Sequence, residues 1–118
     1  MNINIVCVGK IKESFYREAV DEYAKRLGRF CKFSVIEVAE EMLSGEADKQ
    51  IELVKIKEGK RILEKCKGMI IALDLRGKQL SSEEFAHTIE SNMTGGVSQI
   101  SFVIGGSYGL SSEVLDQA

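Results

Sequence analysis

The sequence has a single histidine, His87, and its three cysteines, Cys7, Cys31 and Cys66, are an odd number at wide spacings with no C-x-x-C pair. A zinc site or an imidazole proton relay would have to be built around that one ring, and no nucleophile-elbow pattern accompanies it to complete a Ser-His-Asp triad. Each cysteine lies in or beside an apolar stretch, which reads as a buried structural thiol and not as part of a disulfide framework. Long apolar runs are also missing. The longest, Met69–Leu73 and Ile3–Val8, fall far short of the roughly 20 residues of a membrane helix. The N-terminus Met1-Asn2-Ile3-Asn4-Ile5 has neither a basic region nor a small-residue cleavage site, so a cytoplasmic protein is expected.

The 118 residues are 44% hydrophobic and 29% charged, the balance of one globular domain over 1–118 with its own core, and not of a disordered tail or a fibre. The formal charge of −2 is unevenly spread. Residues 1–32 carry seven Lys/Arg against four Asp/Glu, and residues 33–118 carry nine against fourteen. That asymmetry permits a polyanionic partner at the N-terminal third, although solvated helix faces carry charge in the same way.

Hydrophobic patterning predicts strands and helices in alternation. Ile3–Val8 is a β-branched run broken by Gly9, a buried strand and its turn. From Ser14, Phe15, Ala19, Tyr23 and Leu27 recur every four residues with charges between them, an amphipathic helix stopped by Gly28. Phe33–Val38 alternates in part, as a strand nearer an edge does, and Glu40–Asp48, with Ser44-Gly45, reads as an acidic loop. A helix is predicted from Lys49 to Cys66 with Ile51, Val54, Ile62 and Cys66 near one face and Gly68 as its C′ residue. Gly59 interrupts it at a cost of about 1 kcal/mol relative to alanine, either because something approaches closely there or because the cost is tolerated.

Met69–Leu75, apolar except for Asp74, has the pattern of a central strand covered on both faces, with Asp74 bonded to local backbone or to Arg76. Ser81 and Glu84 form a capping box opening a helix whose buried stripe is Phe85, Ile89 and Met93. Gln99–Ile104 is a fourth strand, Gly105–Gly109 a glycine-rich loop, and Ser111 the cap of a short last helix burying Leu110, Val114 and Leu115. The order β-α-β-α-β-α-β-α predicts a mostly parallel α/β sheet. Ligands of such sheets bind beyond the carboxyl ends of the strands, which points to Gly9-Lys10, Leu75-Arg76-Gly77 and Gly105–Gly109. The last of these lacks both the Walker A and the G-x-G-x-x-G spacing, and by itself is equally a ligand loop or a tight structural turn.

Five segments in this order resemble the RlmH family of small SPOUT-class methyltransferases: Met1–Val8 with Gly9-Lys10-Ile11-Lys12-Glu13, Glu22–Leu27, Lys57–Leu63, Ile71–Lys78 and Phe102–Gly109. The resemblance covers the whole chain. It implies a parallel-sheet α/β-knot fold, S-adenosyl-L-methionine as cofactor, and methylation of N3 of a pseudouridine in 23S ribosomal RNA of the large subunit or assembled ribosome. It also implies a homodimer; methyl transfer from a sulfonium requires no metal, and the short apolar runs lead to the expectation of no membrane partner. Matched residue by residue, Leu73 and Gly105 fall on the family's cofactor-contact positions, where Leu73 also reads as ordinary strand core. Lys10, Lys12, Arg76 and Lys78, at predicted strand ends, are candidate phosphate contacts or plain surface charges.

Chains of that family continue with a further strand, a knot-forming loop, a helix and a basic tail. The 118 residues, which contain no proline, are therefore expected to lack the knot-forming C-terminal elements. No catalytic base is identified among them, and His87 is expected on the exposed side of its helix. The competing reading is an inactive α/β fragment that keeps only self-association or RNA binding, with apolar surface exposed near Leu110–Leu115. A generic nucleotide-binding or receiver-like domain would want an acidic cluster at the strand ends, against which Asp74 followed by Arg76 stands.

Overall fold

The computed structural model describes residues 1–42 and 47–118. The elements run β1 (Asn2–Val8), α1 (Ser14–Leu27), β2 (Lys32–Val38), α2 (Asp48–Lys65), β3 (Met69–Leu73), α3 (Ser82–Thr94), β4 (Gln99–Ile104) and α4 (Ser112–Gln117). The acidic loop expected around Ser44-Gly45 has its centre outside the described residues.

The four strands form one sheet in the order β2-β1-β4-β3, every pairing parallel. Register places Val35, Ile5, Phe102 and Ile71 in one row and Ile36, Val6, Val103 and Ala72 in the next. Successive rows face opposite sides of the sheet. Val6, Val38 and Val103 pack with Ile62 of α2 and with Leu110 and Val114 of the last segment to form the core. On the other face Phe102 meets Phe85 of α3, ring centroids 5.5 Å apart. The strands lean on their central members: Val6, Ile100, Ser101 and Val103 are fully buried. The buried Ser101 hydroxyl donates to the Lys67 carbonyl at 2.8 Å and accepts from the Lys67 amide at 2.9 Å, tying the chain that leaves α2 to β4. Burying a side chain such as Ile62 contributes about 1.5–3 kcal/mol, so this layer dominates the stability of the sheet.

Several expectations are corrected. Among the described residues β3 is an edge strand and not a central one, and it stops at Leu73. Asp74 begins a turn instead of lying inside the strand: its side chain accepts the Arg76 amide and its carbonyl accepts the Gly77 amide at 2.9 Å, which diverts the backbone from the ladder. Next, Phe85, Ile89 and Met93 are not a buried stripe, and no residue of α3 or α1 is fully buried. A helix beside an edge strand has sheet under only part of its apolar face, so α3 is held by its Ser81–Glu84 capping box and by Phe85 against Phe102. Finally, Leu110 and Val114 are buried, so the exposed apolar surface of the fragment reading is not there; Leu73 and Leu75 expose more. The cysteines are half-buried and free, with burial pushing the Cys7 and Cys66 thiols up. Helix α2 ends at Lys65 with Cys66 extended as its cap, leaving Gly68 beyond the C′ position.

The two readings of Gly59 are resolved in favour of close approach. A Cβ there would lie 2.5 Å from Ser111 Oγ and 3.1 Å from Val114 Cγ2, so the missing side chain lets α2 and α4 touch backbone to side chain. Gly59→Ala is expected to lower stability by about 1–3 kcal/mol through overpacking, against the gain of about 1 kcal/mol that helix propensity alone assigns it. Thermal melting of the two proteins reads the sign directly.

Candidate functional site

A cavity of about 560 Å³ opens beyond the carboxyl ends of β3 and β4. Two apolar side chains form one wall: Leu73 and Ile104, which are register partners at the last rung of the β3–β4 ladder. Backbone forms another. The loop from Gly105 to Gly109 crosses the mouth, closed on itself by the Gly109 amide donating to the Gly106 carbonyl at 3.0 Å. Polar groups enter from two sides, Asp74 and Arg76 from the turn after β3 and Lys55 from α2.

Asp74 and Arg76 form a local unit. The Arg76 amide donates to Asp74 Oδ1 at 2.8 Å, Nε donates to the same oxygen at 3.1 Å, and Nη2 donates to Oδ2 at 3.3 Å. The guanidinium and then the amide of Arg76 hold the Asp74 carboxyl below its ordinary value, with the Lys55 charge adding to the effect. The carboxylate is shielded, with 11% of the side chain accessible, whereas 66% of Arg76 remains open to an incoming anion. An apolar wall, a run of backbone donors and acceptors and a few convergent charges in a cleft of this size are what a small organic ligand requires.

Of the residues singled out from the sequence, Leu73, Gly105 and Arg76 line this one cavity. Lys78 lies in an adjoining groove with Leu80 and Phe85, and Lys10 and Lys12 are outside both. His87 is exposed on α3, its Nε2 3.3 Å from Ser91 Oγ and outside the cavity lining. No group of three His, Cys, Asp or Glu residues able to hold a metal ion occurs among the described residues, and none of the described helices is long and apolar enough to cross a membrane.

Two residues near the site escaped the sequence reading. Lys55 sits one helical turn before Gly59 and so shares the face that approaches the loop, a placement its spacing from Gly59 encodes. Glu58 is 3% exposed. It falls four residues after Val54 and four before Ile62, in the middle of the buried stripe of α2, where a carboxylate is easily passed over as surface charge. Its Oε2 accepts the Glu41 amide at 3.0 Å, and burial pushes its carboxyl up despite that bond. The Glu41 carboxylate bonds to Arg61 and lies 3.5 Å from Lys57 Nζ, so Arg61 first, with Lys57, holds it low.

An all-parallel sheet with a cleft beyond the strand ends, walled by a glycine loop, is an α/β architecture with its cleft at the place where such sheets take their ligands. The family model described as predicted SPOUT methyltransferase matches residues 1–118. Among similar proteins is ribosomal RNA large subunit methyltransferase H of Clostridium botulinum (strain Hall), 51% identical over all of this chain and 76% of its own length. The protein of the same name from Clostridium beijerinckii is 50% identical over the same shares. The chain belongs to the SPOUT methyltransferase family.

The Asp74–Arg76 unit gives a pH prediction. Asp74 has a folded value below its unfolded one of about 3.9, so the interaction stabilises the turn fully above that pH and is lost as pH falls through the lower folded value. Asp74→Asn is therefore expected to melt below the wild type at about pH 7, with the gap closing in strong acid. A gap that does not change with pH removes the ionised pair as its cause.

Proposed function

We propose that the protein is an S-adenosylmethionine-dependent methyltransferase of large-subunit ribosomal RNA, acting at N3 of a pseudouridine. It works as a cytoplasmic homodimer, with Leu73 and Gly105 among its cofactor contacts. The observation that carries this reading is the convergence of Leu73 and Gly105 on one cavity, in a chain half identical to proteins named ribosomal RNA large subunit methyltransferase H.

The lining suits the cofactor. Leu73 and Ile104 offer an apolar surface to a flat aromatic base, and the 105–109 backbone offers amide and carbonyl groups to a purine edge or ribose. A Cβ on Gly105 would lie 2.8 Å from the Gly109 carbonyl carbon and 3.0 Å from Leu110 Cδ2, so the loop keeps its shape only with glycine there. When bound, S-adenosylmethionine supplies a methyl group on a cationic sulfur. The protein's part is to hold and orient the two reactants and to exclude water. Asp74, held low by Arg76, is a poor acceptor for the imide proton and serves to fix the turn. Arg76 keeps free donors toward the cleft mouth and, with Lys78, Lys10 and Lys12, supplies positive charge for phosphates of the RNA.

The reading is tested by equilibrium binding of S-adenosylmethionine to the intact protein and by methyl transfer to large subunits lacking the modification. Gly105→Val is expected to weaken cofactor binding by about ten-fold or more, equivalent to about 1.4 kcal/mol, by forcing the loop off Gly109. Absence of binding by the unmodified protein overturns the proposal.

A further inference from the structure

Glu58 is a buried acid that the proposed chemistry does not use. Its Oε1 finds no hydrogen-bond partner among the described residues, although the carboxyl is almost wholly removed from water. Orphaned buried oxygens are costly, of order 1–3 kcal/mol, so a glutamate in this place calls for a reason. The position of that oxygen supplies one. A Cβ built on Gly106 would stand 2.9 Å from Glu58 Oε1, 3.4 Å from Oε2 and 3.2 Å from Val8 Cγ1. Gly106 does not have a positive φ, so its φ does not itself call for glycine. A side chain at 106 would meet the end of the Glu58 side chain first and Val8 Cγ1 next.

We infer that Glu58 is a positioning residue for the cleft: its carboxyl group is the strut on which Gly106 rests, and it sets the height of the 105–109 loop above the ends of β1 and β4. The strut is itself braced. Oε2 is fixed by the Glu41 amide, and the segment carrying that amide is clamped to α2, where Arg61 donates to the Ala39 carbonyl at 3.0 Å and bonds the Glu41 carboxylate. The connection after β2, helix α2 and the loop after β4 thus meet at one side chain. Glu58 does not line the cavity and acts on it only through Gly106. Burial pushes its carboxyl up against the opposing Glu41 amide, with the Glu40 charge adding to the rise and Arg61 opposing it.

The inference rests on the proposed cofactor only for its ligand probe. S-adenosylmethionine titrations of the intact protein by calorimetry, paired with hydrogen exchange of the 105–110 amides, compare Glu58→Ala, Glu58→Gln, Gly106→Ala and the Glu58→Ala/Gly106→Ala double variant. Glu58→Ala and Gly106→Ala are each expected to raise Kd about ten-fold and to speed loop exchange. Glu58→Gln, equal in size and so able to fill the same space under Gly106, stays within about three-fold of the wild type. In the double variant the second substitution adds less than about two-fold, because the nearest atom it would meet is gone and only the looser Val8 contact remains.

Independent, multiplying penalties overturn the inference, as does a folded Glu58→Ala protein with wild-type affinity and exchange. If Glu58→Ala does not fold, Gly106→Ala and Glu58→Gln decide, and wild-type behaviour of the first or ten-fold loss in the second is contrary. If the wild type itself binds no S-adenosylmethionine, the functional reading fails. Loop exchange then judges the strut alone.

Discussion

The approach of α2 to the end of β4 is the constraint on which the rest of the structure depends. At Gly59 the helix comes within contact distance of Ser111 and Val114, and one residue earlier Glu58 reaches under Gly106. Both contacts lie on the same turn of helix. They place the loop and the start of α4 against the same turn of α2. The core on this face, Ile62 against Val6, Val103 and Val114, then holds α2 at that distance by burial. Local chemistry finishes what packing begins: the Asp74–Arg76 turn and the Ser81–Glu84 cap fix the backbone where no core reaches.

The division of labour between the two faces of the sheet follows. The α2/α4 face carries the core cluster, while α1 against β2 and α3 through Phe85 on Phe102 cover the sheet without a fully buried residue of their own. The cavity sits where the two meet, at the ends of β3 and β4, so its apolar wall belongs to one face and its glycine loop is supported from the other. Parallel strands make this possible, since all four release their chains at the same edge of the sheet.

Element type and order were legible in the residues because each signal was local: β-branched runs for strands, a four-residue apolar period for α1, a capping box for α3. Edge or centre was not. Met69–Leu73 is apolar on both faces, which reads the same whether a neighbour strand stands on one side or two, and only the pairing shows which. Burial of helix stripes failed for a related reason. The Phe85, Ile89 and Met93 periodicity states which face of α3 is apolar, but not how much sheet lies below it. Leu73 and Gly105 were reached through resemblance, whereas Glu58 was hidden by its own chemistry, an acid at a position where its neighbours at four-residue spacing, Val54 and Ile62, are core.

The two margins of the sheet are built differently. At β2 the sequence places Lys32, Ser34 and Glu37 along the strand, and Ser34 turns its hydroxyl inward to Asn4 at 2.5 Å. Polar groups of this kind discourage another backbone from laying itself alongside. At β3 the five residues from Met69 to Leu73 carry no charge at all, and Leu75 just past them is fully exposed. Among the described residues β3 pairs with β4 alone, and Met69, Ile70, Ile71 and Ala72 frame its outer side. The sheet is therefore asymmetric as a surface: among the described residues both borders are edge strands, one fringed by polar side chains and the other set in an apolar frame.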